Sequence, residues 1–166
     1  MLSVGIIIPA AGSSSRYGEK DKLAEDFGGR PLLIRTVEFF TKREEVNEIV
    51  VAAPPSSIDA FKDKFGPSLS FHGVQIVSGS DADRWESVQK AISSISQNVD
   101  RIAIHDAARP GISNTLFDRV LLASDSFNAV AAAMPITGTV KRVSENAATI
   151  GDDDDIADSI LGSSTQ

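Results

Sequence analysis

The chain has 166 residues, a formal net charge of −7 and no cysteine. That length suits one domain with a sizeable core, and 42% hydrophobic with 23% charged residues is an ordinary globular composition. The acidic balance argues against a sequence-general nucleic-acid binder. The lack of thiols excludes disulfides and thiolate metal sites, and His72 and His105 alone supply too few imidazoles for a zinc centre.

Val4 to Ile8 is a short, nearly continuous apolar run, the pattern of a parallel strand buried on both faces. A loop rich in Gly and Ser follows, and Pro31 stands where a first helical residue belongs, ahead of Leu33, Val37 and Phe40 at helical spacing. Ile49 to Ala53 is a second predicted strand, stopped by Pro54 and Pro55. Ser56 with Asp59 resembles a capping box opening a helix that carries Phe61 and Phe65. Val74 to Val77 is a third strand, and a helix after Asp83 carries Val88, Ala91, Ile92 and Ile95. Ile102 to Ile104 is a fourth strand, and Ser113 can cap a helix bearing Phe117, Val120 and Leu121. Ala129 to Met134 is expected as a fifth strand, and Val140 to Val143 as the start of a sixth. Alternating strands and helices predict an α/β fold: an open, mostly parallel twisted sheet with helices on both faces. The domain is expected over residues 1–150, followed by an acidic, solvated tail over 151–166 that opens with Gly151-Asp-Asp-Asp-Asp. No apolar run approaches a membrane span, and Met1 to Ile8 lacks the features of an export signal, so a cytoplasmic location without membrane partners is expected.

Four segments could carry chemistry, each at the carboxyl end of a predicted strand, where open α/β sheets collect ligands. The first runs from Pro9 through Ala10, Ala11, Gly12, Ser13 and Arg16 to Lys22. Its small residues let backbone N–H groups approach phosphate oxygens, and Arg16 and Lys22 add charge suited to a triphosphate. It matches neither the Walker A pattern nor the dinucleotide fingerprint. The second is His105-Asp-Ala-Ala-Arg109-Pro110. Asp106 could reach a metal ion, a sugar hydroxyl or a basic neighbour, Arg109 a phosphate or a carboxylate, and a structural ion pair is the plain alternative. His105 is expected to pack or hydrogen-bond. The third, Gly79-Ser80-Asp81-Ala82-Asp83-Arg84-Trp85-Glu86-Ser87, could read a base edge or ribose, or be a plain helix start with Trp85 packed. The fourth, Thr137 to Arg142, sets Thr139 and Lys141 at a spacing that shares one strand face.

Together these segments resemble the 2-C-methyl-D-erythritol 4-phosphate cytidylyltransferase family of the non-mevalonate isoprenoid pathway. The matching pieces are Pro9-Ala-Ala-Gly with Arg16 and Lys22, Gly28-Gly-Arg-Pro-Leu-Leu33, Arg84-x-x-Ser87-Val88, His105-Asp-Ala-Ala-Arg-Pro110, and Thr139-Val-Lys141-Arg142. The first is shared with many sugar-nucleotide transferases; the His-Asp-Ala-Ala-Arg-Pro element is far more specific. The resemblance implies a nucleotidyltransferase of Rossmann-like fold that uses CTP, Mg²⁺ and a small polyol phosphate. It implies Arg16 and Lys22 as catalytic residues at the α-phosphorus. Pro9, Ala10, Ala11, Gly12 and Ser13 would hold the nucleotide, and Ser80, Asp81, Arg84 and Ser87 would read cytosine and ribose. Asp106, Arg109, Thr139 and Lys141 would lie on the acceptor side. Asp106 is also the one side chain implied near the metal, which phosphates would mainly hold. A dimerising arm implies a homodimer where that arm is intact, and residues 151–166 are either the acidic tail or a remnant of it.

The chain departs from the family pattern at three places. Gly79-Ser80-Asp81 stands where Gly-Gly is usual, with one residue extra. Thr137-Gly138 replaces Arg-Asp, and Asp155-Ile156 falls where Asp-Arg is expected. Two further readings stay open: transfer to another polyol phosphate such as ribitol 5-phosphate, and a truncated homologue that binds nucleotide without turnover.

Overall fold

The structure, a computed structural model, describes residues 2–12 and 21–139. Four strands, β1 (Val4–Pro9), β2 (Val46–Ala53), β3 (Gln75–Ser78) and β4 (Arg101–Ile104), form one parallel sheet in the order β3-β2-β1-β4. The helices between and after them are α1 (Leu32–Phe40), α2 (Ile58–Phe71), α3 (Arg84–Ile92) and α4 (Asn114–Ser124). The expected parallel α/β architecture is therefore present.

Strand alternation decides which helix covers which face. Val4, Ile6 and Ile8 point to one side, where they meet Leu33, Ile34, Val37 and Phe40 of α1, Phe61, Phe65 and Leu69 of α2, and Phe117 and Leu121 of α4. Ile7, Val50 and Ala52 point to the other, where α3 lays Val88 and Ala91 against them. Each large side chain taken from water this way contributes about 1.5–3 kcal/mol. The chain moves outward from β1 to β2 to β3 with helices on the first face, then returns to the far side of β1 through α3 on the second. Right-handed crossovers require that change of face when the direction reverses. The reversal leaves a switch point between β1 and β4, and a crevice outside their carboxyl ends is where such a sheet takes ligands.

Several local expectations are corrected. Residues Ala129 to Met134 are not a strand; no strand occurs among the described residues from 128 to 139. The run is mostly alanine, which has low β propensity and little side chain to pack on a sheet, and Val130 is its one β-branched residue. Among the described residues β4 therefore has a single neighbour, β1. Pro31 stands one position before α1 instead of inside it, with a φ of −54° that still suits a helix entry. The Ser56–Asp59 capping box does not form. Pro55–Ser57 is a 3-10 turn, Ser57 precedes α2 without a side-chain cap, and the Ser56 N–H donates to Asp81 instead. Ser113 does cap α4, accepting from the Leu116 N–H at 3.1 Å. Ile95 lies beyond the end of α3 yet still packs on the second core.

Residues up to Ala132 form one compact unit, and the described residues 133–139 belong to a second. The boundary expected at 150/151, the sixth strand and the acidic tail lie outside the described residues. Among the described residues no helix is long and apolar enough to cross a membrane.

Candidate active site at the carboxyl rim of the sheet

Two of the four segments, and Pro9 to Gly12 of the first, are described on the rim, and their residues touch. β1 ends at Pro9; the Ala10 N–H then bonds the Ala52 carbonyl at 2.8 Å, and Ala10 and Ala11 are buried while Gly12 opens to solvent. Gly79, just after β3, lies against Ala11. A Cβ built on Gly79 would come 2.9 Å from Ser87 Oγ, 3.0 Å from the Ala53 carbonyl and 3.1 Å from Ala11 Cβ. Only a glycine lets these backbones approach so closely.

Ser87, 1% exposed, holds the turn beside Gly79. Its hydroxyl accepts from the Ser80 N–H at 2.9 Å and donates to the Ser80 carbonyl at 3.2 Å. The Ser80 hydroxyl donates to the Glu86 carboxylate, and Lys90 Nζ donates to the Gly79 carbonyl at 2.8 Å. Asp81 accepts from the Ser56 N–H at 3.1 Å, which draws its carboxylate towards the end of β2. Asp83 stands at the start of α3 without capping it.

The second and third segments are joined by ions. Arg84 reaches Asp106 Oδ1 through Nε at 3.0 Å and Nη2 at 2.8 Å, and Arg109 Nε lies 2.8 Å from Asp106 Oδ2. In sheet order this link crosses the ends of β2 and β1. Burial alone would raise the Asp106 carboxyl, but the Arg84 hydrogen bond and the charges of Arg84 and Arg109 outweigh it and hold the group below its ordinary value. His105 packs and bonds as expected: its ring meets Phe40 edge-on at 5.1 Å, and Nε2 lies 2.9 Å from the Arg109 carbonyl. Thr36 of α1 donates to the Ala107 carbonyl at 2.9 Å and anchors the same loop from below.

Lys22 opens a 3-10 turn, Lys22–Ala24, whose preceding Asp21 accepts from the Leu23 N–H at 3.0 Å and pairs with Lys64 at 2.9 Å. Leu23 and Ala24 pack on the first core. Gly28 and Gly29, at φ 67° and 83°, form the left-handed turn that leads into α1. Arg16 and Ser13 lie outside the described residues, as does Lys141. Thr139 is exposed in the second unit.

The chain is similar to known proteins over most of its length. The model of the family described as 2-C-methyl-D-erythritol 4-phosphate cytidylyltransferase matches residues 4–157. The chain belongs to that family. A 2-C-methyl-D-erythritol 4-phosphate cytidylyltransferase of Frankia casuarinae is 39% identical over 142 residues, which are 84% of this chain and 51% of the relative. One of Rhodopirellula baltica is 32% identical over 152 residues, 84% of this chain and 62% of the relative. Among solved structures, a 4-diphosphocytidyl-2C-methyl-D-erythritol synthase of Anaerococcus prevotii superposes with a TM-score of 0.68 at 25% identity, covering 87% of this chain and 61% of that one. The chain thus spans about half to three-fifths of the length of these cytidylyltransferases.

Three features went beyond what sequence reasoning found. Trp85 is not packed: it is 61% exposed on the first turn of α3. Lys90 and Thr36 support the site through main-chain carbonyls far along the chain, and only the helical spacing of Lys90 from Glu86 and Ser87 hinted at a shared side. Arg84 and Arg109 share the single carboxylate of Asp106, a three-residue ion cluster of which the sequence suggested only the separate parts. Among the described residues no group of three or more His, Asp or Glu is placed to hold a metal ion, and both Asp106 oxygens already accept from guanidinium groups. These residues do not fit a protein-held cation site.

Proposed function

We propose that this chain is a cytidylyltransferase that joins CTP to 2-C-methyl-D-erythritol 4-phosphate, giving CDP-methylerythritol and pyrophosphate. The observation that carries this reading is the Arg84–Asp106 pair together with the Ala11–Gly79 contact, which gather three nucleotidyltransferase segments on one rim. A phosphate oxygen of the acceptor attacks the α-phosphorus of CTP, the α–β anhydride bond breaks, and pyrophosphate carries away the electron pair. The nucleophile is anionic at neutral pH, so no dedicated base is required. The protein's work is alignment and neutralisation of oxygen charge.

In this reading Pro9, Ala10, Ala11, Gly12 and Ser13 hold the nucleotide through the backbone. Ser80, Asp81, Arg84 and Ser87 form the cytosine and ribose corner. Arg16 and Lys22 stabilise charge at the α-phosphorus, and Asp106, Arg109, Thr139 and Lys141 face the acceptor. The substrate is the Mg²⁺ complex of CTP. The family resemblance supports a cytoplasmic enzyme that works as a homodimer.

Release of pyrophosphate from CTP, Mg²⁺ and methylerythritol phosphate tests the reading. Release with ribitol 5-phosphate alone would reassign the acceptor, and a heat of CTP binding without any release would leave a nucleotide-binding homologue. Lys22→Ala is expected to lower kcat by about 10²–10³ while CTP affinity changes only a few-fold, as for a group acting on the transition state. Equal losses in both would remove Lys22 from the catalytic role.

A further inference from the structure

The peptide between Gly79 and Ser80 is held from both of its polar ends by one helix. Its carbonyl accepts from Lys90 Nζ at 2.8 Å, and its N–H donates to Ser87 Oγ at 2.9 Å. A third residue of the same helix, Glu86, accepts from the Ser80 hydroxyl. On the strand side the Gly79 N–H bonds the Ala53 carbonyl at 2.8 Å.

Glycine is the residue whose backbone turns most freely, and position 79 cannot carry a side chain to restrict it, because a Cβ would collide with Ser87, Ala53 and Ala11. The orientation of this peptide must therefore be imposed from outside. Turning it over would break the Lys90 and Ser87 bonds together. Lys90 sits in the last turn of α3, where a cation is favourable near the helix end whatever it touches. Its ammonium instead reaches back along the helix to the turn after β3, the direction in which long helical side chains lean.

We infer that Lys90 is a positioning residue for the nucleotide base: by holding the Gly79 carbonyl it keeps the Gly79–Ser80 peptide in the orientation on which a cytosine would rest. This rests on the cytidylyltransferase reading above. Lys90 touches no substrate in this scheme. It acts through the turn, so its loss falls on base recognition and spares phosphate recognition by the Pro9–Lys22 loop.

The test compares Lys90→Ala, Lys90→Gln and, as an exposed neighbour, Gln89→Ala in the full chain. Amide hydrogen exchange at residues 80–82 is measured without ligand, and calorimetry gives the affinities for CTP and for inorganic pyrophosphate. A lost charge-assisted hydrogen bond predicts about tenfold faster exchange and about tenfold weaker CTP binding in Lys90→Ala. Pyrophosphate affinity stays within about twofold, Lys90→Gln recovers most of both effects because it keeps a donor, and Gln89→Ala matches the parent. Unchanged exchange, or unchanged CTP affinity beside a parent that binds CTP, overturns the inference alone. Equal losses for CTP and pyrophosphate also overturn it, since they would mark a general charge effect. A parent protein that binds no CTP overturns the cytidylyltransferase reading and this inference with it.

Discussion

The turn after β3 and the loop after β4 share one rim but are held by different forces. The turn is packed: Gly79 fills its space to contact distance, and Ser87, 1% exposed, satisfies both main-chain groups of Ser80. The loop is pinned by charge: Asp106 keeps a side-chain exposure of 38% while Arg84 and Arg109 hold its two oxygens. Close packing around a buried hydroxyl responds little to salt and pH and fixes a backbone shape, although Lys90 and Glu86 add charged hydrogen-bond partners to the turn. An exposed ion cluster contributes little to folding but can exchange partners when a charged ligand arrives. In the proposed cytidylyltransferase reading, the packed turn would read a base by shape and the ion cluster would meet a phosphate by charge.

Variants at the two places sharpen that contrast. Gly79→Ala has the largest expected effect, because its methyl would press on the Ala53 carbonyl, the Ala11 Cβ and the Ser87 hydroxyl. Overpacking of this kind costs about 1–3 kcal/mol, and the upper end is expected where backbone must move. Urea unfolding would read it, and a loss below about 0.5 kcal/mol would show that the turn is looser than its contacts imply. Ser87→Ala leaves the buried Ser80 N–H without its partner and is expected to cost about 1–2 kcal/mol, independent of salt. A strong salt dependence there would break the distinction between the two regions.

Asp106→Asn is expected to change folding stability least, by under about 1 kcal/mol, since the carboxylate is more than one-third exposed and water screens its partners. Its effect should shrink as salt rises. The folded-state pKa of Asp106 is lowered, first against the burial that would raise it and then by Arg84 and Arg109. Its contribution is therefore fully present above the ordinary carboxylate range and lost as pH falls through the lowered folded value. Parent and Asp106→Asn stabilities should converge in acid and separate near neutrality. A constant difference across pH would contradict the ion-cluster account.

Much of this was legible in the sequence where a local pattern carries the physics. Val4 to Ile8 and Ile49 to Ala53 are β-branched runs that read as buried strands, and Ser113 with Phe117 and Leu121 reads as a capped amphipathic helix. Three of the four candidate segments, those opening at Pro9, Gly79 and His105, follow strand ends, because turns with small residues leave strands there; the fourth follows the Ala129 to Met134 run, which is no strand. What stayed hidden depends on topology. The sequence allowed Asp106 a basic neighbour, but that Arg84 supplies it follows only once α3 brings its first turn towards β4. The Ala129 to Met134 run was misread because a strand needs side chains worth packing and a neighbour to pair with, and alanines supply neither. Trp85 was expected to pack because indoles usually do, and its helix position turns it to solvent instead.

The most direct test is a crystal structure of the protein with CTP and Mg²⁺. The account predicts triphosphate along the Pro9–Lys22 loop with cytosine against Gly79–Ser87, and the Arg84–Asp106 pair beside the ribose. Nucleotide bound on another side of the sheet, or triphosphate oxygens that avoid the Pro9–Lys22 loop, would contradict it.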